Sequence, residues 1–263
     1  MNPPHPAPHA DLPASWTLLR WPGNPRVLGL ATTRAGGSSV GAYASMNLGA
    51  HVGDDVHAVQ RNRGVLQRGL AGVVPAWLEQ VHGTAVADLD AWSPGQVPRA
   101  DAAVATRHGV AACVLAADCL PVLLAAPDGR GVAAAHAGWR GLAAGVLERA
   151  VEELSARAGC GAAQLQAWLG PAIGPHHFEV GDEVRQAFVA CDAGAAPAFA
   201  PGRVPGKWMA DLFALARMRL RAAGLLSESI LGGGVCTVSH PELYYSFRRD
   251  RVTGRHAALV WLR

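Results

Sequence analysis

The chain has 263 residues, half of them hydrophobic and 16% charged, and a formal net charge of +3. That composition supports a sizeable core and excludes a disordered chain, while the small, dispersed charge argues against a nucleic-acid partner. Five cysteines, at positions 113, 119, 160, 191 and 236, form an odd set with no CxxC spacing, which suits free thiols in a reducing, cytoplasmic compartment.

Residues 1–20 read as a loose, proline-rich tail without the basic and apolar regions of a signal peptide, and residues 21–263 as a single domain. A strand is expected over residues 26–33, leading into a loop rich in glycine and hydroxyls that starts at Arg34, contains Ser39 and is followed by Asn47. Such a loop can set backbone N–H groups against a phosphate or sugar, although it lacks the Gly-Lys-Ser/Thr of a P-loop. Asp54 is placed to cap a helix over residues 55–70. Residues 76–83 and 84–89 read as two short strands around a turn at His82-Gly83, and residues 101–106 as another strand.

Two nearly continuous apolar runs, residues 110–117 and 121–126, flank a polar break at Asp118-Cys119. A turn at 127–129 precedes a third run that ends on His136. Runs of this length fit strands buried on both faces. Residues 109–127 approach the length of a membrane span, but a central aspartate and proline favour two strands. Gly138-Trp139-Arg140-Gly141 then opens a helix, with residues 142–158 amphipathic. Further expectations are a strand at 164–169, a helix at 179–189, a low-complexity linker at 193–206, a core-facing helix at 208–223, a strand beginning near 232 and a final strand at 257–262. Strands and helices do not alternate strictly, which predicts an α+β domain with a mixed β-sheet flanked by helices.

Of eleven histidines, His82 and His136 each follow a strand-like run and precede a residue pair that includes glycine, and Cys119 has the same end-of-strand placement. Imidazole, thiolate and imidazole from three strand ends suit Zn²⁺ with an open fourth position. The same residues also fit metal-free chemistry, with Cys119 as nucleophile, His136 or His82 as base and Asp118 as orienter.

Ordered motifs then carry a resemblance. They are Thr33-Arg34-Ala-Gly-Gly-Ser-Ser with Met46-Asn47-Leu48, Gln80-Val-His82-Gly83, Ala117-Asp118-Cys119, Ala135-His136-Ala-Gly-Trp-Arg140-Gly141, Gly170-Pro-Ala-Ile-Gly-Pro with Glu179-Val-Gly181, and Cys236-Thr237 with Tyr245-Ser-Phe-Arg248-Arg249-Asp250. Across residues 26–262 the chain resembles the bacterial YfiH-type family, long labelled laccase-like or polyphenol oxidase. The resemblance implies an α+β fold with a mixed sheet, and a metal, usually zinc, held by His82, Cys119 and His136. It also implies phosphorolysis of adenosine, inosine, guanosine and 5′-methylthioadenosine, and deamination of adenosine, so that the partners are purine nucleosides and phosphate. His177-Phe178 and Arg251 depart from the family pattern without touching the proposed ligands.

Phosphorolysis needs an anion pocket, for which Arg34, Arg140, Arg248 and Arg249 are candidates because guanidinium binds phosphate oxygens bidentately. Ser39 and Asn47 are candidates to orient phosphate or ribose. Asp118 or Glu79 could move a proton in deamination, or Asp118 could orient a ligand. Copper is expected to compete at an N/S site in vitro. A multicopper laccase needs more imidazoles, usually in His-X-His pairs, and the chain has no such pair. The alternatives that stay open are a metal-free cysteine hydrolase using Cys119 and a non-catalytic nucleotide-binding domain.

Overall fold

The computed structural model describes residues 12–263. Residues 1–11 of the expected tail lie outside it, and the last four positions assigned to that tail belong to a strand, β1 (Thr17–Trp21). Strand β2 (Asn24–Ala31) and helix α1 (Val56–Gly69) follow. The cap of α1 is Asp55, whose side chain accepts from the His57 N–H, an interaction that contributes about 1 kcal/mol. The expected cap, Asp54, is turned instead to Ser39 and Asn47.

Next come β3 (Val74–Ala76), β4 (Val86–Asp88), β5 (Ala102–Ala105), β6 (Val110–Ala116), β7 (Leu120–Ala125) and β8 (Val132–Ala137). Two helices, α2 (Trp139–Ala144) and α3 (Val146–Ala158), replace the single one expected here. They are divided at Gly145, whose φ of 101° is readily available only to glycine. The chain continues through β9 (Gln166–Leu169), β10 (Glu179–Gly181), α4 (Asp182–Val189), β11 (Phe199–Pro201), β12 (Lys207–Ala210), α5 (Leu212–Ala222), β13 (Ile230–Gly232), α6 (Phe247–Asp250) and β14 (His256–Leu262).

The α+β class and the mixed pairing are met, but the strands divide among three sheets. One has five strands in the order β1-β2-β14-β6-β3, antiparallel except for β3 against β6. A second has six, β13-β9-β7-β8-β5-β4, with parallel pairs at both edges. The third is a small antiparallel sheet, β10-β12-β11, which takes up the segments expected as a linker and as the first turn of a helix.

Side-chain alternation along the strands shows how the layers stack. Ala112 and Val114 of β6 join Leu123 of β7, Ala134 of β8 and Val260 of β14 in one core between the two large sheets. The opposite face of β7 and β8, with Val122, Leu124 and Ala135, packs under α3 and α5 through Leu147, Leu154 and Leu215. The opposite face of the five-stranded sheet, with Leu30, Cys113 and Leu259, is covered by Leu66 of α1 together with Met46 and Leu48 of the preceding loop. Helices therefore cover both outer faces of a two-sheet stack. Every residue of β6, β7 and β8 is buried, which is why these strands read as unbroken apolar runs rather than alternating ones. Each fully buried leucine there contributes about 1.5–3 kcal/mol.

One connection matters most for the site. β6 belongs to the five-stranded sheet and β7 to the six-stranded sheet, so residues 117–119 carry the chain across the gap between them. The polar break Asp118-Cys119 is that crossing, and Asp118 takes φ 91° to make it. No helix among the described residues is long and apolar enough to cross a membrane.

Candidate metal centre

His82 comes from the loop between β3 and β4, Cys119 from the crossing between β6 and β7, and His136 from within β8. Each offers one ligand atom, and the three lie within 4.8 Å of one another. Cys119 Sγ stands 3.6 Å from His82 Nε2, and the two imidazoles meet edge to face with centroids 4.8 Å apart. Among the described residues this is the one convergence of three or more histidine, cysteine or acidic side chains.

A residue that sequence reasoning passed over assembles the cluster. Asp101, fully buried at the start of β5, accepts hydrogen bonds from the backbone N–H groups of Val81 (3.1 Å), His82 (2.9 Å) and Gly83 (2.7 Å). The same carboxylate lies 2.9 Å from His136 Nδ1. One side chain therefore holds the loop that carries His82, including its left-handed φ of 60°, and fixes the His136 ring so that Nε2 is its free nitrogen. A buried carboxylate needs partners of this kind, and an aspartate opening a run of buried alanines was the available signal.

Gln80 pins the same loop from the other side, since its amide donates to Leu115 O and accepts from Leu115 N, both at 2.8 Å. Glycine is required at two positions of the Gly138–Gly141 turn. A Cβ on Gly138 would lie 2.6 Å from His82 Cδ2 and 3.0 Å from Cys119 Sγ, and one on Gly141 would lie 2.8 Å from Gly83 O.

Burial alone would raise the Cys119 thiol, but the adjacent His136 and His82 imidazoles bring it down to about 6. Burial would lower His136, yet the Cys119 thiolate and Asp101 lift it to about 9. Each group thus favours the charged form of the other, thiolate beside imidazolium. Thiolate, two imidazoles and a carboxylate behind one imidazole form a donor set that fits Zn²⁺.

The three side chains border a cavity of about 350 Å³ that is also lined by His51, Arg140, Phe247 and Arg255. Two guanidinium groups, those of Arg140 and Arg255, belong to its wall. Burial lowers the His51 pKa, and Arg255, Arg63 and His136 lower it further by repulsion.

Of the other expected site residues, all but Arg140 are placed outside the cavity lining. Arg34 donates to Ala44 O and Pro241 O and lies over the Tyr245 ring. Arg249 is spent on Thr237 O, Val238 O, Tyr244 O and Asp250, and the Arg248 guanidinium donates to Glu179 O at 2.9 Å. Ser39 and Asn47 are buried in a polar knot with Asp54 and Asn62. Of the four arginines, Arg140 alone lines the cavity, stacked 4.5 Å over Trp139. Glu79 faces Arg99 at the exposed surface. The Asp118 carboxylate accepts from Thr237 Oγ1 and from the Arg248 backbone N–H, each at 2.6 Å. The side chain that orients His136 is thus Asp101, and Asp118 is tied into the architecture.

The fold agrees with comparisons across known proteins. Residues 29–263 match the family model described as multi-copper polyphenol oxidoreductase laccase. A purine nucleoside phosphorylase of Pseudomonas aeruginosa is 51% identical over 248 residues, covering 94% of this chain and 98% of that protein. The purine nucleoside phosphorylase YfiH of Escherichia coli is 47% identical, covering 92% and 97%. A crystal structure of Neisseria meningitidis protein NMB0706 superposes with a TM-score of 0.88 at 45% identity, covering 94% and 99%. The chain belongs to this laccase-like, YfiH-type family.

Proposed function

We propose that this YfiH-type protein is a zinc-dependent purine nucleoside phosphorylase that splits adenosine, inosine, guanosine and 5′-methylthioadenosine with phosphate and also deaminates adenosine. The observation that carries the reading is the His82–Cys119–His136 cluster opening on a cavity also lined by Arg140 and Arg255, in a chain about half identical to proteins named purine nucleoside phosphorylase.

His82, Cys119 and His136 would hold the metal, and a bound zinc would supply Lewis acidity to an oxygen or activate a water at its open position. Phosphorolysis exchanges the C1′–N9 bond of the nucleoside for a C1′–O bond to phosphate, and the base departs with the bonding electrons until it is protonated. The chain's own part is to collect and orient the reactants. Arg140 and Arg255 present guanidinium groups to the cavity and bind the phosphate oxygens. Two Arg255 hydrogen bonds, to Thr253 O and Gly254 O, hold its guanidinium in place. His51, whose neutral form is favoured by burial and by its cationic neighbours, is the cavity group we assign to exchange a proton with the base or ribose. Copper can occupy the same N/S donors in vitro. A multicopper centre would need imidazoles beyond this one converging group.

A second reading is favoured by one observation, the Asp101–His136–Cys119 series with its thiolate–imidazolium pair. That series is the layout of a cysteine hydrolase, with Cys119 as nucleophile and His136 as base. Elemental analysis of the purified protein, combined with release of hypoxanthine from inosine with and without phosphate, separates the two. The phosphorylase reading expects bound zinc and phosphate-dependent release giving ribose 1-phosphate. A metal-free protein whose Cys119 is alkylated rapidly supports the hydrolase, and release without phosphate indicates a nucleoside hydrolase.

A further inference from the structure

We infer that Phe247 is the platform on which the substrate's purine base stacks, and that Asp118 is the positioning residue that holds Phe247 at the cavity. The inference rests on reading the cavity as a purine nucleoside site.

Phe247 is 47% exposed and borders the same cavity as His82, Cys119 and His136. Its neighbours Tyr244 and Tyr245 are buried, so the segment has an apolar core side that Phe247 does not join. Phe247 thus gives the cavity a half-exposed aromatic side chain, the kind of lining from which ligand pockets are built.

Its position is set by hydrogen bonds rather than by packing. α6 has four residues, too few to hold itself as a helix. Ser246 Oγ accepts from the Arg249 N–H, and Asp118 Oδ2 accepts from the Arg248 N–H at 2.6 Å. Asp118 Oδ1 meanwhile accepts from Thr237 Oγ1 at 2.6 Å. The Arg248 guanidinium fastens the far side to Glu179 O. Asp118 immediately precedes Cys119, so one dipeptide fixes both the sulfur of the cluster and, through Arg248 N, the residue next to the aromatic ring that lines the same cavity.

The chemistry suits a purine. A phenyl face stacks on any heteroaromatic base and makes no hydrogen bond that would select among adenine, guanine and hypoxanthine. The Arg255 guanidinium carbon lies over the Phe247 ring, 6.0 Å from its centre, so a cation stands against one side of the ring and the base stacks on the other.

The experiment titrates the purified metal-loaded protein with inosine and with hypoxanthine by calorimetry, alongside bound metal and phosphorolysis rates. Phe247→Ala is expected to weaken both ligands by about fivefold to a hundredfold, the span seen when alanine replaces a stacking ring, with bound metal unchanged. Phe247→Tyr restores affinity. Asp118→Asn weakens inosine several-fold in the wild-type background and adds nothing to Phe247→Ala, because positioning through the ring disappears with the ring. Thr237→Val, which removes one Asp118 partner at similar shape, gives the same pattern and replaces Asp118→Asn if that variant does not fold.

Unchanged ligand affinity in Phe247→Ala overturns the platform, and additive losses in the double variant overturn the role of Asp118. A wild-type protein that binds inosine through Phe247 yet splits none with phosphate overturns the phosphorylase reading and leaves the platform standing. A wild type that binds neither ligand overturns both.

Discussion

Two polar regions of the molecule invite the same functional reading and turn out to be built on opposite principles. At the loop of residues 34–49, Ser39 and Asn47 bond to Asp54, to Asn62 of α1 and to nearby backbone. Asn62 Nδ2 alone reaches Ser39 Oγ, Ser45 O and Asn47 O. Arg34 is likewise committed to two carbonyls. Around His82, Cys119 and His136, one buried carboxylate satisfies the loop and one ring nitrogen, while three ligand atoms face each other at the cavity. A polar cluster that completes its own hydrogen bonds is architecture. A cluster held rigidly from behind, with donor atoms left to converge in front, is equipped for chemistry.

Substitutions break this contrast in different observables. The largest effect is expected at the ligands. His136→Ala or Cys119→Ala should lose bound metal and activity together, because a three-ligand site has no spare donor. Elemental analysis beside an inosine assay checks this, and full metal and rate in either variant refutes the site. Asp101→Asn comes next. Metal affinity should fall by about ten- to a hundredfold, the usual cost of removing a partner behind a ligating histidine, as read by competition with a chelator.

Asn62→Ala should do the reverse, lowering unfolding stability by about 1–3 kcal/mol for a buried partner left unpaired while metal content stays at the wild-type value. A metal loss in this variant would erase the distinction between the two regions. The smallest effect concerns pH. Burial, aided by Arg255, lowers His256 from 6.5 to about 3, and neither of its ring nitrogens has a partner among the described residues. The unfolded chain therefore binds more protons between those values, and the stability His256 contributes is present above about 6.5 and is lost as pH falls toward 3. His256→Leu should flatten the acid side of the stability profile measured by urea titration, and an unchanged slope would contradict the buried, neutral state.

Much of the central layer was legible because burial on both faces writes itself as unbroken apolar sequence, as in β6, β7 and β8. His82, Cys119 and His136 were legible as the polar residues that interrupt or end such runs. Less legible was anything set by long-range pairing. Lys207–Ala210 is a strand because it pairs with both β10 and β11, although its residues merge with the helical pattern of α5 that follows. The helix start was marked by Asp211, whose side chain caps Ala214 N. The division of strands between sheets left no local trace, since the crossing at residues 117–119 looks like any polar turn. Asp101 was missed because its partners come from the loop at residues 81–83 and from β8, far from it in sequence. Arginines were over-read for a related reason. Sequence shows a guanidinium but not the carbonyls that engage Arg34 and Arg249, so Arg255, which does line the cavity, went unremarked.

The most direct test joins metal and reaction in one preparation. Wild-type protein should carry about one zinc per chain, as an open three-ligand site requires, and should release hypoxanthine from inosine only when phosphate is present, with both properties lost in Cys119→Ala. Phosphate-dependent cleavage that persists in Cys119→Ala, or in protein stripped of metal, would contradict the central claim.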